Sequence, residues 1–297
     1  MKDHDQLQRF LLPDAGVRGV HVDLHDTWTG LLSHASYSPA VQQLLGEACA
    51  AASLFTGHTK IDGRLSVQIR GDHPALRTLF AECTAAGTVR GIVQGDEATA
   101  LPRDLRQLGR NAMLAITIEN PGLDPREPQR YQSLVALDSA TLGEAFENYF
   151  RQSEQLPTRL LLAADGTRAA GLLLQKLPGD SGDLDGWNRA CALFDTLDER
   201  ELLELSGAQV VHRLFHQESP QLLAARPLSF GCSCSRERVE SMLQSLGEEE
   251  AREAAAAAGA VEVRCEFCGQ RYDFPLSDIA DLFAHKSATH PAPEHLQ

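Results

Sequence analysis

The stretches CSC at residues 232–234 and CEFC at residues 265–268 place four of the seven cysteines of this chain in two tight pairs. Zinc takes four ligands in a tetrahedron, and structural zinc sites are commonly built from two short cysteine-containing turns that the intervening chain brings together. Gly269 follows the second pair, as a turn needs when the next residue takes positive φ. The pattern predicts one zinc site with four ligands: Cys232, Cys234, Cys265 and Cys268.

Two other interpretations of these cysteines stay open. Cys265 and Cys268 precede His285 and His290 at a spacing close to that of a two-Cys two-His finger. That spacing is slightly long, it leaves the first cysteine pair without a role, and the histidines lie in a polar segment at the end of the chain. The four cysteines are also compatible with a structural role that involves no metal.

A zinc site with four cysteine ligands has no open position for a substrate or a water, so its zinc is expected to be structural. Zinc holds its cysteines as thiolates, which is the form that reacts with oxidants. The segment from Cys232 onward is small enough that metal binding should supply much of its folding free energy. We therefore expect oxidation that expels zinc to unfold this segment and to expose apolar surface, which binds non-native chains.

Distinctive stretches occur along nearly the whole chain. They are HDQLQRFL at 4–11, VRG at 17–19, GRLSVQIRGDHP at 63–74, VRGIVQG at 89–95, RYQSLVAL at 130–137, YFRQSEQLPTRL at 149–160, CSCSRERV at 232–239 and CEFCGQRYDF at 265–274. Through them the chain resembles the redox-regulated thirty-three-kilodalton heat-shock chaperones of bacteria. One departure is AAGLLLQKLP at 169–178, where Gly171-Leu172 stands in place of the family's usual Gly-Gly pair. We expect this departure to alter a local turn.

The resemblance implies a chaperone that is switched on by oxidation. In reducing conditions the four thiolates would bind one zinc ion, and chaperone activity would be low. Under oxidative stress Cys232 would pair with Cys234, and Cys265 with Cys268. Zinc would leave, and the exposed surface would hold unfolded or oxidatively damaged client proteins without ATP. The family also forms homodimers when active.

Residues 1–178 are predicted to form an α+β chaperone domain. SPAVQQLLGEACAAASLFTGHT indicates a long buried helix with Ser38 as N-cap and Pro39 at its first position. Thr141 with Glu144 is a capping box that starts a second helix. Alternating or apolar runs between turn residues predict a mainly antiparallel sheet. These runs are VRGVHVDL, RLSVQIRG, TVRGIVQG, AMLAITIE, QSLVAL, TRLLLAA and AAGLLLQ.

PGDSGDLDG at 178–186 marks a change of composition and the predicted end of that domain. Residues 179–231 carry helical patterns with apolar stripes. They form either a helical connector packed on the first domain or, as the resemblance implies, a metastable linker whose loosening uncovers client-binding surface. Residues 232–297 are predicted to be a small zinc-binding redox-switch domain with two helices, a strand–turn–strand unit around CEFC and a last helix capped by Ser277. The predicted fold class is α+β.

The net charge of −14 argues against nucleic-acid or anionic-membrane partners, because both need a basic surface. The first residues lack the apolar run of a signal peptide, and no stretch has the length of a membrane span, so we expect a cytoplasmic protein. Paired cysteines in that reducing compartment are more often metal ligands or redox sensors than permanent disulfides. Cys49, Cys83 and Cys191 lie in apolar surroundings and are interpreted as core thiols.

No motif in the sequence supports an enzyme. GDSGD at 179–183 is similar to the nucleophile loop of trypsin-like proteases but lacks its strand context and disulfides. His212 and His216 stand four apart on a predicted helix without the Glu of a metalloprotease motif, so they are interpreted as ordinary helix residues. Two alternatives to a chaperone remain. One is a thiol-disulfide oxidoreductase that uses the C-x-x-C pair, and the other is a constitutive zinc-ribbon binding module.

Overall fold

The computed structural model describes residues 4–58, 61–122, 127–179 and 183–287. The chain divides into two compact units, Met1–Gly231 and Cys232–Gln297. Both helices and strands are present in each unit, so the predicted α+β class is confirmed. By its contacts, the segment 179–231 belongs to the first unit. None of the helices in the described ranges combines the length and the hydrophobicity needed to cross a bilayer.

The strands of the first unit form two sheets. In chain order they are β1 (Gln6–Leu12), β2 (Val17–Leu24), β3 (Arg64–His73), β4 (Leu76–Thr84), β5 (Thr88–Gln94), β6 (Met113–Asn120), β7 (Gln129–Ala136), β8 (Thr158–Ala164), β9 (Ala169–Lys176), β10 (Gln221–Leu222), β11 (Arg226–Pro227) and β12 (Ser229–Phe230). The first sheet has the order β10-β1-β2-β9-β8, with β11 also on β1, and the second has the order β12-β5-β4-β3-β6-β7. All described pairings are antiparallel except that of β12 with β5. The prediction of mainly antiparallel pairing is therefore confirmed, although the strands form two sheets and not one.

The helices of the first unit differ in length and position. They are α1 (Asp26–Leu32), α2 (Pro39–His58), α3 (Leu142–Tyr149), α4 (Gly186–Phe194), α5 (Glu199–Glu204) and α6 (Gly207–Phe215). Short turns of other helix types span Leu105–Leu108, Phe150–Glu154 and His216–Glu218. The Thr141 capping box at the start of α3 is confirmed, because Thr141 Oγ1 accepts from Glu144 N and the Glu144 carboxylate accepts from Thr141 N.

The long helix α2 lies between the two sheets and contacts strands of both. Small residues along it let the strands approach closely. At Gly46, for instance, an added Cβ would lie 2.4 Å from Cβ of Ala164 in β8. Cys49 and Cys83 are fully buried in this central core, as predicted for core thiols, while Cys191 in α4 is half-buried. Burial of apolar side chains contributes most of the stability of such a core.

Helices α4, α5 and α6 cover the other face of the first sheet, which we call its outer face. Strand β9 is buried on both sides, since Leu173 faces the central core while Leu172 and Leu174 face these helices. The pair Gly171-Leu172 therefore lies inside β9, and the expectation that it alters a turn is wrong. Apolar side chains of the outer face belong to a second core with α4–α6: Phe10, Leu12, Val17, Ala170, Leu172 and Leu174.

Six of the described helices and strands of the first unit were not predicted: β1, β4, α1 and the two-residue strands β10, β11 and β12. Helix α1 shows why, because its cap is distant in sequence. The carboxylate of Asp5 accepts hydrogen bonds from the backbone N–H groups of His25, Asp26 and Thr27 at 3.0, 3.0 and 2.8 Å. A cap supplied from twenty residues away leaves no local signal of a helix start.

Close packing of α4 on the first sheet yields a stability prediction. Gly186 is buried at the start of α4, and a Cβ there would lie 2.5 Å from Cα of Ala15 and 2.9 Å from its carbonyl oxygen. Because backbone atoms cannot move aside cheaply, we expect Gly186→Ala to lower the free energy of unfolding by about 1–3 kcal/mol. Urea denaturation measures this change, and limited proteolysis should cut the segment of α4–α6 sooner than in the wild type.

Gly166→Ala is the matched control for that variant. Gly166 lies in the turn between β8 and β9, and its added Cβ would meet only Oε1 of Gln42, at 3.5 Å. We expect its unfolding curve to match that of the wild type. Equal stability of the two variants would contradict the tight packing of α4 against the β1–β2 turn.

Candidate metal centre

In its described residues, 232–287, the second unit has three helices and a two-stranded hairpin. Its elements are α7 (Arg236–Leu246), α8 (Glu248–Ala258), β13 (Ala260–Arg264), β14 (Arg271–Pro275) and α9 (Leu276–Ser287). A small core holds them together: Val239, Leu243, Ala251, Ala255, Phe274, Ile279 and Phe283. Helix α9 begins at Leu276, so Ser277 lies inside the helix and the prediction that it caps the helix is wrong.

The hairpin turn positions the second cysteine pair. Arg264, the last residue of β13, pairs with Arg271, the first residue of β14. Within the turn, Cys265 N donates to Gln270 O and Gly269 N donates to Cys265 O, both at 2.8 Å. Gly269 has φ of 68°, which confirms the predicted positive φ and explains the glycine there.

The first cysteine pair is held at the start of α7. Arg238 on that helix donates from Nη1 to both the carbonyl oxygen and the Oγ of Ser233, at 2.8 Å each. Ser235 caps the helix by accepting from Arg238 N. The N-terminal end of a helix carries partial positive charge, which favours thiolates close to it. Local hydrogen bonds thus fix the CSC turn beside the helix end.

The four cysteine sulfur atoms meet in one cluster. Sγ of Cys232 lies 3.6 Å from Sγ of Cys265, and Sγ of Cys234 lies 3.4 Å from Sγ of Cys268. All four sulfur atoms are within 4.8 Å of one another, and all four residues are half-buried free cysteines. A tetrahedral zinc ion with bonds of about 2.3 Å would separate its sulfur ligands by about 3.8 Å. The cluster therefore has the donor atoms and the size that fit such an ion.

The electrostatics of the cluster favour a bound cation. Burial and hydrogen bonds to the neighbouring thiols raise the pKa of Cys268 to about 12. Tyr272 on β14 donates from its hydroxyl to Cys234 Sγ at 3.2 Å, and this bond raises the pKa of Tyr272 to about 12. Four thiols this close cannot all ionise by themselves, whereas a divalent cation would stabilise all four thiolates. The four cysteines could hold a metal ion.

The two histidines of the alternative two-Cys two-His site cannot be placed near the cysteines. The side chain of His285 and the whole of His290 lie outside the described residues, and so does Ser181 of the GDSGD stretch. His212 and His216 lie on α6 and at its end, exposed, with their rings stacked at 5.5 Å. Within the described ranges, neither belongs to a group of potential metal ligands.

A second group of possible ligands was missed by the sequence analysis. His4, His25 and Asp26 also place ligand atoms within 4.8 Å of one another. His4 precedes β1 and His25 follows β2, so only the antiparallel pairing of these strands brings the two histidines together. No spacing rule along the chain could have found them.

The tyrosine hydrogen bond leads to a prediction on metal affinity. Groups that hydrogen-bond to metal ligands orient them and tune their basicity, and their loss typically weakens binding about 10- to 100-fold. We expect Tyr272→Phe to weaken zinc binding in that range while the second unit stays folded in saturating zinc. Competition with a chromophoric chelator measures the affinity. Tyr131→Phe, which removes an exposed hydroxyl from β7 of the first unit, should bind zinc like the wild type; equal affinities for all three proteins would contradict the role of Tyr272.

Comparison with known proteins agrees with this architecture. A family model described as Hsp33 protein matches residues 5–275. The 33 kDa chaperonin of Ectopseudomonas mendocina is 45% identical over 296 residues, covering 97% of this chain and 98% of that protein. The 33 kDa chaperonin of Azotobacter vinelandii is 44% identical over 291 residues, covering 96% of each chain.

A solved structure shares the fold. The crystal structure of the 33 kDa chaperonin from Thermotoga maritima matches with a TM-score of 0.76 at 21% sequence identity, covering 96% of this chain and all of that one. At that identity the match shows the fold alone. The family model and the curated relatives together carry the assignment: this chain belongs to the Hsp33 family of chaperones.

Proposed function

We propose that this protein is a redox-regulated, ATP-independent holdase that is inactive with zinc bound and becomes active when oxidation releases the zinc. The observation that carries the proposal is the convergence of four half-buried thiols in a small separate unit. Membership of a chaperone family supports binding of unfolded client proteins. Cys232, Cys234, Cys265 and Cys268 are both the zinc ligands and the redox-active residues.

The small core of the second unit supports its dependence on zinc. Its seven buried side chains come from α7, α8, β14 and α9, and two of them are alanines. A core of this size contributes little net free energy of folding, while a structural zinc site contributes a large share. Loss of the metal therefore unfolds the second unit.

Oxidation acts on the thiolates and changes their bonding. Each disulfide forms when two thiolates give two electrons to one peroxide molecule, which takes up two protons and leaves as two water molecules. Two disulfides consume two peroxide molecules and leave zinc without ligands. The resemblance implies the pairs Cys232–Cys234 and Cys265–Cys268.

The folded cluster does not by itself select those pairs, since sulfur–sulfur distances of 3.4 and 3.6 Å join the two turns. Once the unit unfolds, however, loop closure favours partners that are close in sequence. Disulfides within each turn leave the two turns unconnected, so they do not hold the unfolded unit in a compact state. Disulfides between the turns would instead keep the unit compact. Pairing within each turn is therefore the arrangement that suits a switch.

Unfolding is proposed to spread to the linker of residues 179–231. Helices α4, α5 and α6 are short, and isolated helices of such length are unstable in water unless they pack against something. Their apolar faces cover Phe10, Val17 and Leu172 on the outer face of the first sheet. Release of these helices would uncover a continuous apolar sheet face, and such a face binds non-native chains without any nucleotide.

The remaining parts of the proposal concern the setting of the protein. We assign it to the cytoplasm, where a reducing environment keeps the cysteines free of disulfides until stress occurs. The active form is proposed to be a homodimer, as in the family that the sequence resembles. The net charge of −14 disfavours nucleic acids and anionic membranes as partners. We assign no enzymatic activity to it.

The central test follows zinc, thiols and chaperone activity in one sample. After peroxide at elevated temperature, we expect release of about one zinc ion and loss of about four thiols per chain, with a gain in suppression of a thermally aggregating client. Loss of zinc and thiols without a gain in activity would reduce the site to a constitutive structural ribbon. Catalysed insulin reduction would support a thiol-disulfide oxidoreductase instead.

Two serine variants sharpen that test. Cys265→Ser should bind zinc weakly and expose the second unit to proteolysis even in reductant, because the site loses a thiolate ligand. Cys191→Ser removes a half-buried thiol outside the cluster and should respond to peroxide like the wild type. Wild-type zinc content and proteolysis in Cys265→Ser would contradict the four-thiolate site.

The chain contains an internal comparison for thiol reactivity. Burial raises the pKa of Cys49 and of Cys83 well above that of an ordinary thiol, so both stay protonated and shielded from oxidants. Mass spectrometry after mild peroxide treatment should find disulfides among the four cluster cysteines and free thiols at Cys49 and Cys83. Comparable oxidation of all these positions would mean that peroxide damages the protein without selecting the switch.

A further inference from the structure

The first unit contains a basic cavity that the proposed chaperone cycle does not use. It has a volume of about 470 Å³ and lies where the C-terminal end of α2 meets β1, β2 and β11. Its lining includes Arg9 on β1, Arg18 on β2, His58 at the end of α2 and Arg226 on β11. The strand pairings explain this convergence, since Leu11 is opposite Arg18 and Leu7 is opposite Arg226.

The three arginines of the cavity have no acidic partner in the described part of the chain. Arg18 donates to Oε1 of Gln175, and Arg226 donates to Ala85 O at 3.0 Å and to Thr56 Oγ1. The ion pairs that arginines form elsewhere among the described residues leave out Arg9, Arg18 and Arg226. In a chain with a net charge of −14, three guanidinium groups around one cavity without a carboxylate are unusual.

Two polar atoms of the cavity residues also have no hydrogen-bond partner, although both are buried. They are Nε of Arg226 and Nδ1 of His58. Buried polar groups in folded proteins are nearly always satisfied, so two unsatisfied atoms beside one cavity call for a partner such as an ordered water or a bound ion.

Both atoms are hydrogen-bond donors. Burial and the charge of Arg18 lower the pKa of His58 to about 3, so its ring is neutral. Nε2 of His58 lies 3.0 Å from Nη2 of Arg18, which can only donate, so Nε2 accepts and the ring proton is on Nδ1. Nε of arginine always carries a proton. The missing partner is therefore an acceptor.

The end of α2 explains part of this arrangement but not all of it. The C-terminal end of a helix carries partial negative charge and tolerates nearby cations. The side-chain hydrogen bonds of Arg18 and Arg226 in the described residues go to Gln175, His58, Ala85 and Thr56, and not to carbonyl oxygens of the last turn of α2. The helix end therefore leaves the two donors unsatisfied.

We propose that this cavity is a binding site for a phosphate-type oxyanion, either free phosphate or the phosphoryl group of a small metabolite. Nε–H of Arg226 and Nδ1–H of His58 donate to its oxygen atoms, and Arg9 and Arg18 supply compensating charge. Guanidinium groups suit this ligand because their planar donors match the geometry of phosphate oxygens. The site lies wholly in the first unit. Because Arg226 belongs to the linker of residues 179–231, the site is assigned to the resting, zinc-bound protein.

The test is isothermal titration of the full-length, zinc-loaded, reduced protein with inorganic phosphate and, separately, with AMP. Both titrations are run against sodium chloride at equal ionic strength. We expect saturable binding and a rise in the melting temperature of the first unit that chloride does not produce. Binding of phosphate itself identifies the free ion, and binding of AMP alone identifies a phosphorylated metabolite. If neither phosphate nor AMP binds saturably, the proposal is overturned.

Variants locate the site. Arg18→Gln removes a charge-assisted donor and should weaken binding about tenfold or more. Arg9→Gln should also weaken binding, and it keeps the protein folded, because Arg9 is exposed and makes no side-chain hydrogen bond in the described residues. Arg70→Gln removes one charge from an exposed position on β3 and should bind like the wild type. Equal affinity for the wild type and all three variants would show that the ligand binds elsewhere.

Discussion

Four sulfur atoms within 4.8 Å of one another constrain the whole second unit. As neutral thiols they fit together, but as thiolates they repel unless a cation lies among them. Burial and hydrogen bonds to the neighbouring thiols raise the pKa of Cys268, and a bound cation would favour its thiolate form. Hydrogen bonds in the hairpin turn at Gly269 and at the start of α7 hold the two pairs in place. The fold of this unit is thereby tied to the chemical state of its cysteines, since the small core offers little to replace the metal.

The first unit is stabilised in a different way. Helix α2 lies between two sheets, and its small residues allow a close approach that buries apolar side chains from both. None of the four clustered cysteines belongs to this unit. Its central core can therefore stay intact when the second unit changes state, which a holdase needs in order to present a surface while part of the chain unfolds.

The outer face of the first sheet connects the two behaviours. Strand β9 is apolar on both sides because it faces the central core with Leu173 and the helices α4–α6 with Leu172 and Leu174. Short helices that cover an apolar face owe their stability to that packing. The same side chains can thus serve the resting protein as a core and the activated protein as a surface for clients.

The sequence by itself determined the local features of this protein. Cysteine spacing, Gly269 and the Thr141 capping box each depend on neighbouring residues, so the thiol pairs, the turn and the helix start were all predictable. Only the tertiary structure decided which distant residues meet. The cap of α1 by Asp5, the group of His4 and His25, and the cavity of Arg9, Arg18, His58 and Arg226 all arise from strand pairing and helix packing. Such contacts join residues far apart along the chain, and their physical cause is the burial of sheet and helix faces, which leaves no local pattern to read.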